Sequence, residues 1–251
     1  MCIRDSDCGT SSETNWALDV TSYKHIQFLN KATASEASTQ HKCISSTDIQ
    51  PDTDVLVVKR AYTIDETNNA SKTDDSVYLR TDYSTGCLWW YSSSGSTAPS
   101  GGNCPASGFK DWRYMTHVYY IRKTNDAGEA IPTLCRKTLA AVSGAPGMKD
   151  VCLSEGIEKF HVQFGIDTST PRDGVPDMYL SDPTTTEMQR VTSAKIYVLA
   201  RADKEDPVFT NNKTYTLGNY TINANDNYYR RVYSTTVLLR NPANTAIFTS
   251  Y

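Results

Sequence analysis

Two stretches near the end of the chain constrain its fold most. They are Ala194-Lys-Ile-Tyr-Val-Leu-Ala-Arg201 and Asn227-Tyr-Tyr-Arg-Arg-Val-Tyr-Ser-Thr-Thr-Val-Leu-Leu-Arg-Asn241. Runs so rich in β-branched and aromatic residues read as strands. In the second, a polar, aromatic lead-in is followed by a period of two. Val232, Ser234, Thr236 and Leu238 fall on one face, and Tyr233, Thr235, Val237 and Leu239 on the other.

More strands are expected upstream. Asp54-Val-Leu-Val-Val-Lys-Arg60 has the continuous apolar centre of a buried strand. Ser76–Arg80, the aromatic run Leu88–Tyr91 and Thr116–Arg122 are shorter candidates. Phe160, Val162, Phe164 and Ile166 alternate with His161, Gln163 and Gly165, which predicts a half-buried strand with one wet face. Residues 22–38 hold the one candidate for a short helix, with poor periodicity. Residues 143–149 and the Asp/Asn-rich stretch 203–228 read as loops. No internal repeat appears, and no linker separates two cores. Residues 7–251 are therefore expected to form a single α+β domain, β-dominated, with an antiparallel sheet and long loops.

With 251 residues there is enough chain to bury a real core. The net charge of −3, with both signs mixed, argues against a nucleic-acid groove. Tyr (16) far outnumbers Phe (6), as suits an extracytoplasmic β-rich domain. Of the seven cysteines, Cys2 sits in Met1-Cys-Ile-Arg-Asp-Ser6, which looks foreign to the rest of the chain. Residues 1–6 are read as a sequence artefact, resembling a translated adapter remnant. The remaining six leave several pairings open. The simplest is sequential: Cys8 with Cys43, Cys87 with Cys104, and Cys135 with Cys152. The last two would each close a loop of about seventeen residues, contributing roughly 3 kcal/mol in the chain-entropy model. The spacings do not suit zinc. Disulfides in turn imply the periplasm or cell surface.

The longest apolar runs, such as Val55–Val58, are far too short to span a bilayer. A disulfide-bonded chain without an export signal is expected to be truncated at its N-terminus.

Few residues suggest chemistry. Asp167-Thr-Ser-Thr-Pro-Arg-Asp-Gly-Val-Pro-Asp177 is the one metal-like stretch, with Asp167, Asp173 and Asp177 as weak calcium ligands. A calcium loop needs oxygen ligands at alternate positions before its turn glycine. Counting back from Gly174 meets Pro171 in one of those places, so a turn cornered at Asp173-Gly174 is the preferred reading. No cofactor is expected. His25, His41, His117 and His161 show no partnership with a nucleophile, and Asp74-Asp75 and Glu205-Asp206 sit in turn-forming sequence. No enzymatic activity is expected. The aromatics Trp89, Trp90, Tyr91, Trp112, Tyr114, Tyr119 and Tyr120 read first as packing and second as a recognition surface.

Four blocks, in order, resemble the PilW-like type IV pilus assembly proteins, the large minor pilins. They are Gln50–Ala61, Val118-Tyr-Tyr-Ile-Arg122 with Pro132–Lys137, Leu153-Ser-Glu-Gly-Ile-Glu-Lys-Phe-His-Val-Gln-Phe-Gly-Ile-Asp167, and the two C-terminal strands. The resemblance implies a pilin-like globular ectodomain whose N-terminal hydrophobic helix is missing here. It implies a structural subunit that joins other minor pilins and the major pilin, and primes pilus assembly. The inner membrane would be engaged through the missing helix. The subunit would sit on the periplasmic face of the inner membrane and in the extracellular pilus of a Gram-negative bacterium, with a place at the pilus tip. Two alternatives stay open: a tip adhesin using the Trp/Tyr-rich loops, and a general secretion pseudopilin of the J type.

Overall fold

The computed structural model describes residues 26–82, 84–93, 104–142 and 145–239. Seven strands build the larger antiparallel sheet: β1 (Ile26–Ala32), β2 (Thr53–Asp65), β3 (Ser76–Thr81), β4 (Gly86–Tyr91), β5 (Lys110–Arg122), β6 (Thr133–Val142) and β7 (Ala145–Glu155). β5 is its organiser. One edge pairs with β2, while the other pairs with β3 near its start and β6 near its end. A second sheet has the order β13-β10-β8-β9, from β8 (Ile157–Ile166), β9 (Met178–Leu180), β10 (Val191–Arg201) and β13 (Arg230–Leu238). β11 (Thr214–Leu217) and β12 (Tyr220–Asn223) form a separate hairpin that touches β10 and β13.

The larger sheet is apolar on both faces because two different layers cover it. On one face, Val55, Val57, Val118 and Tyr120 pack with Ala37 of the short helix α1 (Ala34–Gln40) and with Ile44 and Ile49 of the following loop. On the other, Phe28, Leu56 and Ile121 meet Phe160, Val162, Phe164 and Ile166 of β8. The Phe28 and Phe164 rings lie 4.8 Å apart. The continuous apolar run in β2 is thus a strand buried on both sides, as its sequence predicts.

Four sequence expectations change. The short helix expected within 22–38 is α1, which starts only at Ala34, and Ile26–Ala32 before it is β1. Ile26 and Phe28 pack on one core and Leu29 on the other, a period of two that hides any helical stripe. α1 starts where Thr33 and Glu36 form a reciprocal capping box. The expected loop at 143–149 is largely strand, since β7 begins at Ala145 and pairs with β6 as far as Val142. The proline inside it, Pro146, is tolerated because β7 is an edge strand. The expected loop at 203–228 contains the β11–β12 hairpin, turned by Gly218-Asn219 with Gly218 at φ +63. Finally, the predicted wet face of β8 is dry: His161 is 0% exposed and Gln163 8%. The turn at Asn219, together with Ser181 and Tyr197, supplies their hydrogen bonds. Alternation in sequence reported polarity, and burial came from hydrogen-bonded cover instead of solvent.

Candidate assembly surface

The sequence blocks around residues 153–167, 194–201 and 227–241 meet in one place. Arg230 opens β13 with its side chain 4% exposed. Its guanidinium donates to Glu158 of β8 at 2.6 and 3.2 Å and to Asp226 at 2.6 Å twice. Burial opposes the charge, but the hydrogen bonds to the two acids outweigh it and raise the Arg230 pKa. The hydrogen bonds from Arg230 hold the Asp226 carboxyl below its ordinary range. Next to this clamp, Gly156 at φ +75 accepts from the Arg201 amide at 2.7 Å. Arg201 lies 4.1 Å over the Tyr228 ring and donates to the Ala130 carbonyl. These motif residues fasten the end of the second sheet and fix where β13 starts.

What they fasten is unusually bare. β13 pairs with β10 in register from Arg201↔Arg230 to Ser193↔Leu238, and it is an outer strand of its sheet. Val237, Thr235 and Tyr233 lie opposite Ala194, Ile196 and Val198, so they continue the face that β8 and β10 turn to the core. The larger sheet does not reach under them. Tyr233 is 50% exposed and Val237 43%, and on the other face Leu238 is 58% exposed. From Val232 to Leu238 the strand has no charge and no proline. Natural edges are normally blunted by those devices, because a row of free backbone donors and acceptors recruits other strands. Beyond its two leading arginines, β13 is a long, exposed edge lacking them. The chemistry it offers is strand pairing along one side and an apolar shelf beneath.

A second cluster escaped the sequence reading. Asp54 of β2, His161 of β8 and Ser181 after β9 converge in the interior. His161 Nε2 is 3.1 Å from Ser181 Oγ, and its Nδ1 is 3.0 Å from Asp54 Oδ2. The spacing resembles a charge-relay triad, but the hydrogen bonds run differently. Nδ1 is out of line for a hydrogen bond to Asp54. The Asp54 carboxylate instead accepts from the amides of Lys31 and Val162 at 3.0 and 2.8 Å. Ser181 donates to Asn219 at 2.6 Å, and all three side chains are buried. Asp54 therefore bridges β1 to β8 where β9 no longer covers the β8 edge. Proximity of Asp, His and Ser across three strands has no local sequence signal.

The other predicted residues are dispersed. Asp167 accepts from the amides of Ser169 and Gly174, Asp177 from Thr168, and Asp173 from Val175, so each carboxylate braces its own loop. Among the described residues no three His, Cys, Asp or Glu side chains gather as a metal site. Asp74 likewise binds Ser93, and Asp206 accepts from Tyr229. Bridges join Cys87 to Cys104 and Cys135 to Cys152, the latter between directly opposed residues of β6 and β7. Cys43 is disulfide-bonded as well, while Cys8, Cys2, His25 and residues 1–6 lie outside the described residues. His41 is buried. His117 is pushed down to about 4 by burial, with the charges of Arg136 and Arg60 adding to it.

Of the aromatics, Trp89, Tyr114 and Tyr120 are buried, and Trp90, Tyr91, Trp112 and Tyr119 partly so. Trp89 donates to Asp111, a buried carboxylate that also pairs with Lys72 at 3.0 Å and Arg80 at 2.8 Å. They build the β3–β4 end of the sheet. Among the described residues no helix is long and apolar enough to cross a membrane.

Residues 118–241 match the family model of type IV pilus-assembly protein W, PilW. The matched span runs from β5 to just beyond β13 and contains the whole of the second sheet. A part in type IV pilus assembly, in the cell envelope and among pilus components, follows from that match. No curated protein and no solved structure matches the chain.

Proposed function

We propose that this chain, PilW-like across residues 118–241, acts as a minor pilin that primes type IV pilus assembly. Its task is structural: it offers a rigid surface on which other subunits are placed, and β13 is that surface. The observation that carries the reading is the coincidence of the family match with an unguarded sheet edge. The matched motifs hold the start of β13 in place, and the strand they hold is left open to solvent. A purely structural motif knot would be expected to protect its own edge.

The partners in this reading are other minor pilins and the major pilin, met on the periplasmic face of the inner membrane and carried into the fibre. The adhesin alternative draws less support, because Trp89, Tyr114 and Tyr120 face inward and cannot line a ligand surface. The test is genetic. Deleting the gene should sharply reduce surface pili counted by electron microscopy, while the major pilin still accumulates in the membrane. Normal piliation in the deletion strain contradicts the proposal, and a selective defect in general secretion would move the chain to a pseudopilin role.

A further inference from the structure

We propose that Arg60, His117, Arg136, Thr138 and Lys149, gathered on one face of the larger sheet, form a binding site for a phosphate group. Nothing in this site depends on the reading of β13 as the assembly surface.

Strand register brings the five together. His117 of β5 is paired with Val58 of β2 on one side and with Thr138 of β6 on the other. Two residues along β2 from Val58 stands Arg60, opposite Met115, and two along β6 from Thr138 stands Arg136, opposite Tyr119. Lys149 of β7 is paired with Thr138. Directly paired residues point to the same face, and side chains two apart return to it, so all five share the face of His117. Neighbouring strands lie about 4.8 Å apart, so the side chains of Arg60, Arg136 and Lys149 are long enough to converge on the His117–Thr138 pair.

The charge of this face is uncompensated. Among the described residues no ion pair engages Arg60, Arg136 or Lys149. Asp150, the acid beside Lys149 in β7, lies on the opposite face, where Tyr120 donates to it at 2.9 Å and Lys137 pairs with it at 3.0 Å. Two polar atoms of the cluster, Arg136 Nε and Thr138 Oγ1, are buried without a hydrogen-bond partner. Folded proteins rarely leave such atoms unpaired, and a bound group is one way to satisfy them. Burial, with the charges of Arg136 and Arg60 adding to it, pushes His117 down to about 4, so its ring is neutral at physiological pH. Three cations around a neutral ring suit a dianion. A tetrahedral phosphate also has acceptors enough for guanidinium, ammonium and hydroxyl donors arriving from several strands. A lone carboxylate would leave part of that charge unmatched. Free phosphate and the phosphomonoester headgroup of an acidic lipid share this chemistry.

Titrating the full chain with inorganic phosphate tests the site, with chloride holding ionic strength constant so that general screening cancels. Calorimetry should show saturable binding, and phosphate in place of chloride should raise the melting temperature. Arg60→Gln with Lys149→Gln, both at exposed positions, should raise the dissociation constant about tenfold or more and leave melting in chloride unchanged. Arg136→Lys keeps the charge but removes the planar fork and its Nε, and should weaken binding as well. The ring of His117 should titrate at higher pH once phosphate offsets the two guanidiniums, a response that a merely structural stripe of cations would not give. Vesicles of phosphatidylcholine with and without phosphatidic acid separate the two sources. Co-sedimentation with the acidic vesicles that free phosphate reverses, and that the Arg60→Gln, Lys149→Gln variant loses, assigns the site to a headgroup. Phosphate binding without vesicle binding assigns it to the free anion. No heat, no melting shift and no His117 response with either probe overturns the proposal. So does binding of either probe at equal strength by the Arg60→Gln, Lys149→Gln variant.

Discussion

Arg230 and Glu158, 72 residues apart in sequence, are joined by hydrogen bonds of 2.6 and 3.2 Å across the end of β10. The pair ties the first and last long strands of the second sheet together, with Asp226 closing the clamp. Replacing Arg230 by Met would leave two acids facing each other in a half-buried pocket. Breaking such a pair costs about 2–4 kcal/mol, less than for a fully dry pair because Asp226 is partly exposed. Urea unfolding should show that loss, and exchange of the β13 amides should accelerate more than that of β5.

Gly156 and Gly174 make a matched contrast. Both have positive φ. A Cβ on Gly156 would lie 2.8 Å from the Arg201 carbonyl oxygen, while one on Gly174 would meet nothing within 4 Å. Gly174→Ala should therefore cost only the backbone term, about 1 kcal/mol. Gly156→Ala adds a clash with backbone that cannot move aside, for about 2–4 kcal/mol in all. Paired melting curves of the two variants measure the difference.

The Cys135–Cys152 bridge closes a loop of separation 17 between opposed strands. Its removal in a Cys135→Ser, Cys152→Ser double variant should cost up to roughly 3 kcal/mol. The cost should appear in denaturant midpoints under oxidising conditions and vanish when wild type and variant are both fully reduced.

His117 gives a pH dependence. Its pKa is lowered to about 4 by burial first, with Arg136 and Arg60 repelling a proton, while an unfolded histidine titrates near its ordinary 6.5. Between those values the unfolded chain binds a proton that the native state refuses. The associated stability is complete above about pH 6.5 and is lost as pH falls toward 4. Allowing for the partial exposure of the ring, the loss is on the order of 1–2 kcal/mol. His117→Gln should flatten the melting-temperature profile between pH 6.5 and 4 relative to wild type, and identical profiles would contradict this.

Sequence carried the strands well because most face a core with a regular period. β2, β5, β8 and β10 are visible in that way, and β13 by its β-branched and aromatic composition. It carried less where context decides. β1 serves two cores at once, so no single face marks it. The β11–β12 hairpin is short and polar, and only Gly218-Asn219 announces it. His161 and Gln163 look like solvent-facing residues, yet Asn219 and Ser181 cover them from far along the chain. The tail motif was legible as a motif but not as a mechanism. Nothing in the order of residues says that Arg230 points inward to Glu158 while Tyr233 and Val237, of the same strand, hang beyond the opposing sheet.

The central claim is that the exposed face of β13 is where pilus assembly engages this chain. The most direct measurement is complementation of a deletion strain with Tyr233→Lys, Val237→Lys, a pair at half-exposed positions that places two charges on the apolar shelf. The account predicts that the variant melts within a few degrees of wild type, accumulates to the same level, and restores few or no surface pili. Full restoration of piliation by that folded variant would contradict it.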